Sequence, residues 1–83
     1  MSATDLPILS PIEIKALRHG LDLSQSEFSS RFGVPIAALR NWEQGRRQPD
    51  PTANTYLHLV AFNPDGAASV LQYLAEKARS GQR

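Results

Sequence analysis

The stretch that decides the fold is Leu23–Pro49, LSQSEFSSRFGVPIAALRNWEQGRRQP. Ser24 is followed three residues later by Glu27, the S-x-x-E pattern of a capping box at a helix start. Phe28 and Phe32 lie four apart and so share one face of the helix that opens there. Gly33 is the residue most easily placed at positive φ, which a helix end and sharp turn favour. Pro35 suits the first turn of a second helix, where its missing N–H is not needed. Leu39 and Trp42, three apart, form the inward stripe of that helix. Gly45 stops it, and Arg46, Arg47 and Pro49 follow. Two short helices about a glycine turn, with basic residues behind the second, make a helix-turn-helix arrangement.

The flanking segments read as three further helices. Upstream, Ser10, Pro11 and Glu13 form an N-cap, N1 and N3 series. It opens a helix to about Gly20 with Ile14, Leu17 and Leu21 turned inward. Residues 1–10 read as a flexible arm. Downstream, Asp50 and Pro51 open a helix to about Phe62. Its Tyr56, Leu57, Leu59, Val60 and Phe62 make it apolar on more than one side, a sign of heavy burial or of a partner surface. Asn63-Pro64-Asp65 repeats the cap, proline and acid order. The helix it opens runs to about Arg79, with Ala67, Val70, Leu71, Leu74 and Ala78 at helical spacing. Lys77 and Arg79 sit near its end, where the helix dipole favours cations. Residues 80–83 are expected to fray. No stretch alternates as a strand would. The expected fold is all-α, one compact five-helix domain over residues 11–79.

Bulk properties narrow the function. The chain has 83 residues, enough for one small core. No apolar run is long enough to span a membrane, and the N-terminus lacks the basic region of a signal peptide. The absence of cysteine excludes disulfides and thiolate metal sites and fits a cytoplasmic protein. Nine Lys and Arg against eight Asp and Glu leave a formal net charge of +1. A nucleic-acid binder of this composition must rely on where its charges stand more than on their sum. His19 and His58 are far apart, and there is no H-E-x-x-H, no glycine-rich phosphate loop and no nucleophile motif. Catalysis, a metal and a cofactor are therefore not expected.

If Leu39 and Trp42 face the core, then Ile36, Ala37, Arg40, Asn41 and Gln44 face outward. Arg can donate twice to guanine, Asn or Gln can bracket adenine, and Ile36 and Ala37 can touch a thymine methyl. A polar outward face is also the default of any surface helix. The apolar pair Pro35-Ile36 at its start favours a contact surface. Gln25 and Ser26 stand at a helix N-terminus, where free backbone N–H groups attract phosphate, although ordinary capping needs the same residues. Arg46 and Arg47 are placed to pin a phosphate at the far end of the reading helix.

These residues resemble the Xre-type helix-turn-helix family, which includes the lambdoid phage repressors. The shared pieces are Ser24-Gln25, Glu27-Phe28, Gly33-Val34, Leu39 and the W-E-x-G-x-R-x-P ending, Trp42 to Pro49. The likeness is strongest to HigA-type antitoxins, and Asn63-Pro64-Asp65 extends it. The resemblance implies a lambda-repressor-like bundle that dimerises on a palindromic operator. It implies that Gln25 meets phosphate or base, and that Pro35, Ile36, Ala37, Arg40 and Asn41 read bases. It implies further that Arg46 contacts phosphate and that Arg18 and Glu43 form a partly buried ion pair. Pro35 and Ile36 depart from the polar residues common at that helix start, which shifts weight to methyl contacts and DNA shape.

The expected function is that of a sequence-specific repressor of double-stranded DNA and antitoxin to a HigB/RelE-like toxin, autoregulating its operon. Its homodimer is expected to form through Phe62, Val70 and Leu74. The alternatives are a phage or plasmid autorepressor without a toxin, and a protein-interaction module that has lost DNA binding.

Overall fold

The computed structural model of the protein describes residues 5–81, and among them five α-helices and no strand. They are α1 (Pro11–Gly20), α2 (Gln25–Phe32), α3 (Ile36–Glu43), α4 (Pro51–Phe62) and α5 (Pro64–Gly81). The all-α expectation and the element order agree with this.

The starts are set by side-chain caps. Ser10 and Ser24 each accept from the backbone N–H of the glutamate three residues on, and that glutamate accepts in return from the cap's own N–H. Asp50 accepts from Ala53 N–H, and Asn63 Oδ1 accepts from Gly66 N–H. A side chain on Gly66 would collide with the Asn63 amide, so glycine there preserves the cap. α3 differs: Pro35 is its N-cap, one residue before the expected first-turn place, and no side chain caps it.

The ends of the first three helices are set by left-handed residues. Gly33 (φ 68°) closes α2 with its N–H on Ser29 O. Gly45 (φ 74°) closes α3 as a Schellman turn: its N–H donates to Trp42 O and that of Arg46 to Asn41 O. α1 ends at Gly20 as expected, but the left-handed residue that closes it is not the glycine. Gly20 stays helical, and Asp22 (φ 61°) is the left-handed residue, with its N–H on His19 O and that of Leu23 on Arg18 O. Asp tolerates this region better than most residues, because its short polar side chain can bond locally.

The core is Ile14, Phe28, Phe32, Val34, Leu39, Leu57 and Val60. Phe28 and Phe32 meet at 4.8 Å between ring centroids, a spacing suited to tilted aromatic rings. Trp42 packs on this cluster from its margin, half-buried. α1 and α2 both pack on α3, and α5 packs on α2 and α4. Tyr56 on α4 donates its hydroxyl to Phe32 O, tying α4 to the end of α2.

Two terminal expectations need adjusting. Along residues 6–9 the arm is tethered to α4, because the buried Asn54 side chain bridges it. Asn54 Oδ1 accepts from Leu9 N–H at 2.9 Å, and Nδ2 donates to Pro7 O at 3.0 Å. His58 Nε2 lies 2.8 Å from the same Pro7 oxygen. At the other end, Ser80 and Gly81 continue α5 instead of fraying. Residues 1–4 of the expected arm and 82–83 of the expected frayed end lie outside the described residues.

Candidate nucleic-acid interface

α3 is only eight residues long and cannot hold its shape by propensity alone. Packing holds it from the inside. Leu39 is fully buried, and Glu43, one turn on, is 7% exposed. Burying a carboxylate is costly unless it is paired and hydrogen-bonded. Arg18, 9% exposed, meets it from α1. Its Nε donates to Glu43 Oε2 at 2.8 Å and its Nη2 to Oε1 at 2.9 Å, a two-pronged pair. A third donor, Arg18 Nη1, reaches Leu23 O at 2.9 Å and so fixes the loop that leads into α2. The pair implied by the resemblance is present and joins α1, α3 and that loop.

Glu43 has one further partner. Gln25, the first residue of α2, donates Nε2–H to Glu43 Oε1 at 3.1 Å. Burial pushes the Glu43 carboxyl up, but hydrogen bonds from Arg18 and Gln25, with the Arg18 charge, outweigh it and hold the group below the usual carboxylate range. Gln25 Oε1 in turn accepts from Arg40 Nε at 3.4 Å. No reasoning from local spacing finds this link, since its partners are fifteen and eighteen residues apart. It needs α2 and α3 already packed.

The other predicted residues stand as follows. Ser26, Pro35, Ala37, Arg40, Gln44, Arg46 and Arg47 are exposed. Asn41 is half-buried, and its backbone oxygen accepts from Arg46 N–H. Ile36 is also half-buried. Part of its surface is already covered by the domain, so the expectation of a fully exposed apolar head is too strong. Exposed side chains thus stand at Ser26 in α2, at Ala37 and Arg40 on α3, whose N-terminus is not capped by a side chain, and at two arginines just past its end. Uncapped N–H groups and guanidinium groups both suit phosphate. His19 is exposed, and no group of three or more His, Cys, Asp or Glu able to hold a metal is found among the described residues. No helix there is long and apolar enough to cross a membrane.

A second surface lies on α4 and α5. α5 has no buried residue along its 18-residue length. Phe62 is 90% exposed, Val70 57% and Leu74 51%, with Leu59 and Tyr73 beside them in the sequence pattern and also exposed. All three residues expected at a dimer contact are therefore open apolar groups in the single chain.

Comparison with known proteins bears on the helix-turn-helix itself. A family model described as helix-turn-helix matches residues 14–53. A crystal structure of an HTH XRE-family like protein from Agrobacterium tumefaciens is 44% identical, with a TM-score of 0.69, over 76% of this chain and 98% of that one. The chain belongs to the XRE helix-turn-helix family. Among curated proteins, the antitoxin HigA-2 of Vibrio cholerae serotype O1 is 35% identical over 68 residues, 82% of this chain. The match spans 62% of the length of that antitoxin. In this XRE-family chain the matched helix-turn-helix segment runs from Ile14 through α2 and α3 into the start of α4. It includes Arg18, Gln25, Arg40, Glu43, Arg46 and Arg47.

Proposed function

We propose that the protein is a sequence-specific DNA-binding transcriptional repressor that acts as a cytoplasmic homodimer on a palindromic operator. The observation that carries this reading is the matched helix-turn-helix segment, whose α3 bears exposed Arg40 and is followed by the exposed Arg46-Arg47 pair. In this reading α3 enters the major groove. Arg40, Asn41 and Gln44 reach base edges, Ile36 and Ala37 lie against thymine methyls, and Pro35 sets the angle of entry. Gln25 stands beside Arg40 at the start of α2, and Ser26, Arg46 and Arg47 flank them at the backbone. The dimer joins through Phe62, Val70 and Leu74, whose exposure in the single chain leaves apolar surface to cover. Two reading helices then sit about one DNA turn, ~34 Å, apart.

The likeness to an antitoxin supports a second element: the protein neutralises a HigB/RelE-like toxin through a surface other than α3 and represses the operon that encodes both. Gel shifts on the protein's own promoter with a salt titration test the first element. A specific complex with a half-site repeat near one helical turn is expected, and its absence at every salt concentration favours an interaction module that does not bind DNA. Co-expression with the neighbouring gene product and co-purification test the second. An operator complex without a co-purifying toxin would leave an autorepressor of the phage or plasmid kind.

A further inference from the structure

We infer that Gln25 is a positioning residue for Arg40, its amide held in one sense by the buried carboxylate of Glu43. The inference rests on the reading of α3 as the DNA-reading helix. Glu43 is an acceptor only, and both its oxygens are engaged by Arg18, at 2.8 and 2.9 Å. A glutamine facing that carboxylate must present its NH2 group, because the opposite orientation sets oxygen against oxygen. The observed contact, Gln25 Nε2 to Glu43 Oε1 at 3.1 Å, is the permitted one. The amide oxygen is thereby turned away from the core, and it meets Arg40 Nε at 3.4 Å.

The consequence for Arg40 is geometric. A guanidinium has five N–H donors in a rigid fork. With Nε engaged by Gln25, the two terminal amino groups remain for a partner beyond the protein surface. Those are the donors that would face guanine O6 and N7 in a two-pronged contact. Arg40 is also exposed and long, so without Gln25 it would have to be ordered at the moment of binding. A chain of contacts, Arg18 to Glu43 to Gln25 to Arg40, thus runs from the buried ion pair to the outer side of α3. Gln25 acts on sequence choice through Arg40, and not through a phosphate of its own.

The test is a double-mutant cycle on a duplex selected in vitro from random sequence by the wild-type protein. Affinity is measured for that duplex and for every single-base change, with wild type, Gln25→Ala, Arg40→Ala and the double variant. Gln25→Leu, which keeps volume beside Glu43, is run in parallel, and thermal melts check that each variant is folded. If Gln25 positions Arg40, then Gln25→Ala and Gln25→Leu weaken binding about 2- to 10-fold, the range for ordering one flexible side chain. The loss is expected at the same base pair that Arg40→Ala affects, with an unchanged salt slope, and Gln25→Ala adds nothing once Arg40 is alanine. Additive losses, or a uniform weakening with a flatter salt slope, would show that Gln25 contacts DNA by itself and would overturn the inference. A wild-type protein that selects no sequence would instead remove the DNA reading, and the inference with it.

Discussion

α3 and α5 are opposites. α3 has eight residues, of which Leu39 and Glu43 are buried, and it is gripped by α1 and α2. α5 has 18 residues, buries none, and leaves Val70, Tyr73 and Leu74 open. Length therefore runs against burial. The short helix is specified by its neighbours, which suits a surface that must hold side chains in fixed places. The long helix packs on α2 and α4 through its half-buried side and leaves an apolar face open, which is the face that meets the partner in the proposed homodimer.

The most forceful way to break this contrast is to remove Glu43. Glu43→Ala strands Arg18 in the interior, and the loss of one partner from a buried pair costs about 3–5 kcal/mol. Urea unfolding should show it. A loss under about 1 kcal/mol would mean that α3 is held by Leu39 and its apolar neighbours alone.

Acid probes the same pair without mutation. The Glu43 carboxyl is held below its ordinary range in the folded state. Its contribution is thus fully present above that range and is lost as pH falls through the lowered folded-state value. Glu13 and Glu27, lowered by hydrogen bonds from the backbone and side chains of their capping serines, act in the same direction. Melting temperatures measured downward from neutral pH should fall below the carboxylate range in the wild type, and less steeply in Glu43→Gln.

Changes at the reading surface should be smaller and confined to DNA. Arg40→Ala is expected to lose about 1–3 kcal/mol of discrimination at one base pair. Arg46→Ala should weaken all sequences alike and reduce the salt slope by about one. Footprinting on operator variants separates the two, and an unaltered operator choice in Arg40→Ala would displace the proposed reading face.

Gly33→Ala tests the turn between α2 and α3. A Cβ there meets nothing within 4 Å, so the strain lies only in the left-handed backbone. A cost of about 1–2 kcal/mol in thermal or chemical unfolding is expected.

The smallest effect on folding is expected on α5. Leu74→Asp should change the stability of the single chain by no more than about 0.5 kcal/mol, as surface substitutions do. It should also abolish self-association in sedimentation. If it unfolds the chain instead, α5 is a core element and the contrast with α3 fails.

The elements were legible because their signals are local. Ser10-Pro11, Ser24 with Glu27, Asp50-Pro51 and Asn63-Pro64 mark helix starts by bonds made within three residues, and Gly33 and Gly45 mark ends by a conformation other residues resist. Periodic spacing turned Ile14, Phe28, Phe32 and Leu39 inward for the same reason, while α4, apolar on more than one side, left its buried face open. The exceptions are instructive. α1 ends at Gly20 as read, yet the left-handed residue that closes it is Asp22, through the bonds of Asp22 and Leu23 back to His19 and Arg18. Nothing local marks Asn54 as the clamp on Leu6, Pro7 and Leu9, since those partners lie some 45 residues away.

By itself, then, the sequence determined five helices, their order, most of their caps and the inward residues of the first three, since these follow from bonds and periodicities within a few residues. Only the tertiary structure decided that Ile36 is half covered, that the arm is tied to α4, and that Gln25 stands between Glu43 and Arg40. Those outcomes depend on how close separate helices approach. A hydrogen bond across that gap forms or fails within a few tenths of an ångström.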